Sequence, residues 1–347
     1  MTPAIPTTLE PALAELVPEI PTGPDWVYEP KWDGFRCLAF RDGGGVELMS
    51  RSGQPLARYF PEIVEAVAAL PAPRAVLDGE IVVPVGNAFS FDDLLQRIHP
   101  AESRVRKLSA ETPAIYLVFD LLADEKGQAL VNSPWRQRRA ALERFAEHAF
   151  PAAKGRVRLS PVAADVRTAR KWLDAAGGGL DGVIAKRADL EYRSGDRTGM
   201  QKIKKIRTAD CVVGGFRYAS KKKIVGSLLL GLYDESGVLD HVGFCSAIAE
   251  SERRDLTPKL QKLVEPPGFT GRAPGGPSRW SSERSGQWEP LSPTLVVEVR
   301  YDHFSQGRFR HGTRFERFRP DKAPRQCTLD QVTRENRSSL PAALRRD

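Results

Sequence analysis

Lys31-Trp32-Asp33-Gly34, followed by Phe35 and Arg36, gathers an amine, a carboxylate and a turn-forming glycine within a few residues. An unprotonated lysine amine is a nucleophile, and neighbouring cations favour that form by lowering its pKa from about 10.4. Taken alone, the motif reads equally well as a turn, with Asp33-Gly34 closing a hairpin and Lys31 in solvent. Later segments carry further charged groups. Asp78-Gly79-Glu80 ends a hydrophobic run, and Asp120 is the one acid in the apolar stretch YLVFDLL. The segment Asp181 to Lys186 opens with an acid and closes with a lysine. Gln201-Lys202-Ile203-Lys204 sets two lysines on one face of an extended chain, because side chains alternate with period two. Singly, these read as a strand end, a core strand, a salt-bridged edge and a solvated charge run.

The elements that would position these groups are mixed up to about residue 205. Helices are expected over 61–70, over 91–98 with Asp92 and Asp93 in its first turn, and from Ser133-Pro134 to about Ala149 with Ser133 as N-cap. Another should start near Asp165 and stop at Gly177-Gly178-Gly179. Short β-rich runs lie at 36–40, 76–83, 115–122 and 182–185. Beyond residue 205 five strands are expected, at 211–216, 227–233, 239–245, 295–301 and 314–319, with a helix over 250–264 between the third and fourth. A β-β-β-α-β-β order is what an OB-fold barrel gives. The stretch 271–286, rich in Gly, Ser, Pro and Arg, reads as a mobile insertion in it.

Composition narrows the classes. The 347 residues suggest about two domains. At 41% hydrophobic and 28% charged the chain is ordinary for a folded protein, which argues against global disorder. It has no run of 18 apolar residues and no basic-then-apolar leader, so neither a membrane span nor a secretory signal is expected. Cys37, Cys211, Cys245 and Cys327 are too far apart in sequence for a CxxC zinc pair and read as reduced, buried, cytoplasmic thiols. The net charge of +8 points to a polyanionic partner or to compositional bias. Residues 206–347 hold 24 Lys+Arg against 17 Asp+Glu, so nearly all the excess lies there.

In order and spacing the motifs resemble those of the ATP-dependent DNA ligases. The resemblance covers 16–332 and extends to the wider nucleotidyltransferase superfamily, with its RNA ligases and mRNA capping guanylyltransferases. It rests on Lys31-Trp32-Asp33-Gly34 with Arg36, then Ser50-Arg51-Ser52-Gly53, Leu77-Asp78-Gly79-Glu80 and Val118-Phe119-Asp120. Asp181 to Lys186, Lys202-Ile203-Lys204 and Arg319-Pro320-Asp321-Lys322 complete it. It implies an α+β fold: a nucleotidyltransferase (ATP-grasp-like adenylation) domain over 1–205, an OB-fold β-barrel over 206–335, and a tail over 336–347.

The resemblance implies that Lys31 attacks the α-phosphate of ATP, forms a lysyl-AMP and passes the adenylate to the 5′-phosphate of a nick, whose 3′-hydroxyl then displaces AMP. Asp33, Arg36, Lys202 and Lys204 would belong to the catalytic set, and the cations would lower the pKa of Lys31. By the same analogy Glu29 would read the adenine amino group and Phe119 would stack on the adenine. Glu80 would hold the ribose, Arg51 the sugar or the 5′-phosphate side, and Asp181 with Glu80 would hold Mg²⁺, with Mn²⁺ as a substitute. Arg319 and Lys322 would orient the leaving pyrophosphate when the domains close. Two positions depart from the family pattern. Asp181 stands where Glu is usual, and Met200 where Trp is usual.

The basic segment from Arg197 to Lys223, extended by Arg308, Arg310, Arg314 and Arg317, suits phosphate-backbone contacts that do not read sequence. Thirty residues precede Lys31, and no zinc-ligand cysteines follow the second domain. The chain thus resembles the minimal repair ligases that act beside Ku and primase-polymerases, and is expected to be a monomer in the cytoplasm, associated with the nucleoid. The alternatives are an RNA ligase or capping-type guanylyltransferase sharing the lysine chemistry, and a silent OB-fold nucleic-acid-binding protein.

Overall fold

The computed structural model describes residues 5–150, 155–219, 223–275, 287–336 and 340. The chain divides into two units, Met1–Lys205 with Ser338–Asp347, and Ile206–Arg337. In chain order the first unit runs β1 (Glu15–Leu16), β2 (Trp26–Trp32), β3 (Phe35–Asp42), β4 (Gly45–Ser50), α1 (Pro61–Ala68), β5 (Arg74–Val82), α2 (Phe91–Gln96), α3 (Glu102–Glu111), β6 (Ile115–Ala123), α4 (Trp135–Ala149), β7 (Val157–Leu159), α5 (Val166–Asp174), β8 (Leu180–Arg187) and β9 (Met200–Lys204).

These strands form two larger sheets. One has the order β1-β9-β8-β2 and the other β4-β3-β5-β6-β7, antiparallel except for the β1–β9 and β6–β7 pairs. Every residue of β6 is buried, which is why it reads as an unbroken apolar run rather than an alternating one. Its acid Asp120 is tolerated because Arg138 of α4 meets both carboxylate oxygens at 2.9 Å.

The hairpin reading of Asp33-Gly34 is corrected. β2 and β3 belong to different sheets, so the turn carries the chain from one to the other. The Asp33 N–H donates to the Gly179 carbonyl, and a Cβ at Gly34 would strike the Ile81 carbonyl, Glu80 Cγ and Val82 Cγ1. The glycine is therefore required by the close approach of two chains.

Five of these strands were not foreseen: β1, β2, β4, β7 and β9, the last anticipated only as extended chain. Pro30 obscures β2, but β2 lies at a sheet edge, where a missing N–H is tolerated. Helix α3 was missed because only Val105 on it is buried, leaving no apolar stripe to detect. Ser133 is not the N-cap of α4. The helix begins at Trp135 after Pro134, and the Ser133 carbonyl instead accepts from Arg138 Nη1. Asp165 does cap α5, accepting from the Thr168 N–H at 2.9 Å.

The second unit runs β10 (Arg207–Tyr218), β11 (Val225–Tyr233), β12 (Leu239–Ala247), α6 (Glu250–Gln261), β13 (Val296–Tyr301), β14 (Thr313–Phe318) and a short α7 (Asp330–Asn336). β10 pairs with β11, β11 with β12, β12 with β14, β14 with β13, and β13 returns to β10. Only the β12–β14 pair is parallel. This closed five-stranded ring is the OB-fold topology, and closure removes free sheet edges. Phe216, Leu228, Leu230, Val297 and Val299 fill its core together with Cys211, Cys245 and Cys327. Leu256 and Leu260 of α6 join that core.

Most of the 271–286 insertion lies outside the described residues, as do Lys221 and Lys222 of the basic segment. All four cysteines are free and buried. Among the described residues no helix is long and apolar enough to cross a membrane.

Candidate active site

Strand register assembles the first wall. Lys31 of β2 and Lys204 of β9 both lie opposite Gly182 of β8, which runs between them. A β-bulge between Leu180 and Gly182 shifts the register there, and bulges re-aim side chains. Gly182 has φ of 145°, and a Cβ on it would meet the Ile203 carbonyl, so no other residue fits. Asp181 in this bulge places one oxygen, Oδ2, 2.6 Å from Lys31 Nζ and 3.0 Å from Lys204 Nζ. Two residues along, Ile184 lies opposite both Glu29 and Lys202. Glu29, Lys31, Ile184, Lys186, Lys202 and Lys204 all line one cleft of about 870 Å³.

The other large sheet supplies the facing residues. Arg36 of β3 lies opposite Glu80 of β5. Asp78 is fully buried and grips Arg36 through both carboxylate oxygens, at 2.5 and 2.6 Å, while the Tyr192 hydroxyl donates to the same carboxylate at 2.6 Å. The Arg36 guanidinium and the Lys186 ammonium each lie 4.6 Å from the centroid of the Phe119 ring. Lys186 also pairs with buried Glu29 at 2.7 Å. Asp33, Arg51 and Glu80 line the same cleft.

The electrostatics correct one expectation. Burial lowers the pKa of Lys31, but the charge and hydrogen bond of Asp181 outweigh it, and with Glu80 and Asp33 they leave Lys31 above its ordinary value. The lysine that is lowered is Lys202, by burial and then by Lys31, Lys204, Arg51 and Arg197. Burial pushes the Asp181 carboxyl up, yet Lys31 and Lys204 together hold it down at about 2. Burial dominates at Glu80, which is pushed up to about 7 against the pull of Arg36 and Lys31.

Arg319 and Lys322 belong to the second unit. There Arg319 Nη1 and Lys322 Nζ contact the two oxygens of Asp210, at 2.8 and 2.7 Å. Asp321 holds the rest of the Arg319 guanidinium.

Residues 11–204 match the model of the ATP dependent DNA ligase domain, and residues 221–322 match that of the ATP dependent DNA ligase C terminal region. DNA ligase C2 of Mycolicibacterium smegmatis is 44% identical over 357 residues, covering 97% of this chain and 98% of that protein. The chain belongs to the ATP-dependent DNA ligases. DNA ligase C of Mycobacterium tuberculosis is likewise 44% identical to this ligase, over 350 residues and 96% of each chain. The multifunctional non-homologous end joining DNA repair protein LigD of M. tuberculosis is 30% identical over 303 residues, which is 86% of this ligase and 37% of LigD.

Among the described residues, the ligase has no group of three or more His, Cys, Asp or Glu placed to hold a metal. Carboxylate oxygens are at hand: Glu29, Asp33 and Glu80 line the cleft, and Asp181, held ionised, contacts Lys31 and Lys204 of its wall. Such a set suits Mg²⁺, which keeps water and phosphate oxygens and takes one or two carboxylates from the protein.

Four residues escaped the sequence reading. Lys186 was visible as the end of its motif, and the period-two spacing from Ile184 places it on the cleft face. Asp78 was quoted in its motif without a task. Tyr192 and Asp210 gave no signal, because their partners lie 114 residues and 109 or 112 residues away in sequence.

The raised pKa of Glu80 carries a stability consequence. As pH rises from about 4.5 to 7 the unfolded chain gives up this proton first, so the folded state loses stability over that window. Glu80→Gln should therefore raise the thermal midpoint at pH 8 by a few degrees, for about 1–2 kcal/mol given the partial exposure of the side chain. At pH 4.5 it should change the midpoint little. Calorimetry at both pH values checks this, and an equal shift at both would contradict it.

Proposed function

We propose that this ATP-dependent DNA ligase carries the adenylate on Lys31 and acts on nicked or broken duplex DNA in repair. The observation that carries the reading is Lys31 paired with Asp181 and flanked by Lys204 at the wall of the one cleft that also holds Glu29, Arg36 and Glu80. The Lys31 amine, once deprotonated, would form a bond to the α-phosphorus of ATP as the bond from that phosphorus to pyrophosphate breaks. A 5′-phosphate oxygen of the DNA would then take the adenylate, and the 3′-hydroxyl would displace AMP. Lys202 and Lys204 would neutralise charge building on the phosphates. Mg²⁺, or Mn²⁺ in its place, would be held by Asp181 and Glu80 and would add to that neutralisation. Arg36, oriented by Asp78, and Asp33 would complete the set around the nucleophile. Glu80 would meet the ribose, and Arg51 the sugar or the 5′-phosphate.

Adenine recognition has its own support. Glu29 is buried, and its Oε1 has no hydrogen-bond partner among the described residues while Lys186 holds Oε2. A buried carboxylate oxygen needs a donor, and the adenine amino group would supply one where guanine presents a carbonyl. Phe119 would offer its ring to the base. Glu29→Gln should raise the KM for ATP about tenfold while changing use of GTP less, narrowing the preference between them. Measuring nucleotidyl transfer to the protein over a range of ATP and GTP checks this, and an unchanged preference would contradict it.

Arg319 and Lys322 would serve the leaving pyrophosphate in the first step, and basic residues such as Arg217, Arg308 and Arg314 the DNA backbone. Ku and primase-polymerase proteins are the partners suggested by the resemblance and by the end-joining relative. A monomer in the cytoplasm, on the nucleoid, fits that task. Labelling the protein with ATP or GTP and then offering nicked DNA or nicked RNA tests the whole reading. Label from ATP and sealing of nicked DNA are expected, and sealing of RNA alone would overturn it.

A further inference from the structure

Asp210 lies near the start of β10, the first strand of the OB barrel, and it is buried. Its backbone is clamped by one side chain. Gln331 accepts from the Asp210 N–H at 3.0 Å and donates to the Asp210 carbonyl at 3.2 Å, and also to the Thr328 carbonyl at 3.2 Å. The Asp210 carboxylate then divides its two oxygens, one to Arg319 and one to Lys322. The two cations follow β14, where the Arg319 N–H donates to the Val296 carbonyl and the Lys322 N–H to the Arg319 carbonyl. The acid is the buried member of the cluster, and both cations keep part of their surface exposed, 18% for the Arg319 side chain and 24% for that of Lys322.

We propose that Asp210 is a positioning residue for adenylate transfer: it holds Arg319 and Lys322 side by side as a preformed pair of cations for the leaving pyrophosphate, and Gln331 fixes it in place. Two long side chains free in solvent would have to be ordered at the moment of reaction. A shared carboxylate beneath them meets that entropy cost during folding. Asp321 cannot do this alone, because it contacts only Arg319 among the two. The inference rests on Arg319 and Lys322 acting in the first step.

The test separates the two levels. Adenylation of the full-length protein by ATP is measured against sealing of a nick that already carries the adenylate, in Asp210→Asn, Arg319→Ala and the double variant. Asp210→Asn should slow adenylation at saturating ATP about tenfold to a hundredfold while leaving sealing of the adenylated nick within about threefold. The double variant should be slower than Arg319→Ala by less than Asp210→Asn costs alone, because with Arg319 gone Asp210 acts only through Lys322. Adenylation at the normal rate in Asp210→Asn, equal loss in both assays, or additive losses would each overturn the proposal. Normal adenylation in Arg319→Ala would instead overturn the underlying reading of the pair. Should Asp210→Asn not fold, Gln331→Ala keeps the charge and loosens only the clamp. A loss of several fold confined to adenylation supports the proposal, and no loss, or equal loss in both assays, overturns it.

Discussion

Lys31→Arg is expected to abolish transfer of adenylate to the protein, by more than about 10⁴-fold. A guanidinium keeps the positive charge and can still pair with Asp181, so folding should be little affected. It stays protonated at any working pH, so it supplies no nucleophile. If Lys31 acts only in forming the lysyl-AMP, the variant should retain a measurable ability to seal a nick supplied with its adenylate already in place. Lys31→Ala should lose the same step, and in addition leave Asp181 with Lys204 as its remaining close cation. The check is the rate of protein labelling by ATP beside the rate of sealing of an adenylated nick. Labelling of Lys31→Arg at even a hundredth of the normal rate would show that another residue takes the adenylate.

The second large effect is expected at Asp181. Its carboxyl is held at about 2 because one oxygen faces two ammonium groups, with burial opposing them. The stability this gives is present above the unfolded value of about 3.9 and is lost only as pH falls through about 2, so it is complete at neutral pH. Asp181→Asn would leave two ammonium groups close together without their shared anion and would remove an oxygen donor for the metal. Adenylation should fall at least about a hundredfold, and the thermal midpoint should drop by several degrees at pH 7. Asp181→Glu keeps the charge and restores the residue usual in the family. It should hold adenylation within about tenfold of the parent. Labelling rates and calorimetry on the two variants check this, and an amide variant that labels normally would remove Asp181 from the mechanism.

The charged residues of the first unit were legible because strand alternation is simple geometry. Once Lys202 and Lys204 are read as period-two neighbours, their shared face follows, and the resemblance supplied the order of motifs. The OB barrel was legible as well, since five apolar runs of β length with one intervening helix leave few topologies. What sequence could not show was the crossing of Asp33-Gly34 between sheets, because a turn looks the same whether or not its flanking strands pair. It could not show the bulge at Asp181 either, since only the partner strand reveals that Leu180 and Gly182 are out of step. That bulge sets the charge balance around Lys31. Cations were expected to dominate around Lys31 and depress it, but the bulge brings a carboxylate to 2.6 Å and reverses the sign. Lys31 is thus held as an ammonium ion by its own neighbour, and as the proposed nucleophile it would have to give up that proton before attacking.

The most direct test of the central claim is to incubate the purified ligase with ATP, digest it, and map the adenylate by mass spectrometry. One adenylate group is expected, on the peptide containing Lys31, lost when the labelled protein is given nicked DNA. An adenylate on any other lysine, Lys186, Lys202 and Lys204 included, would contradict the account.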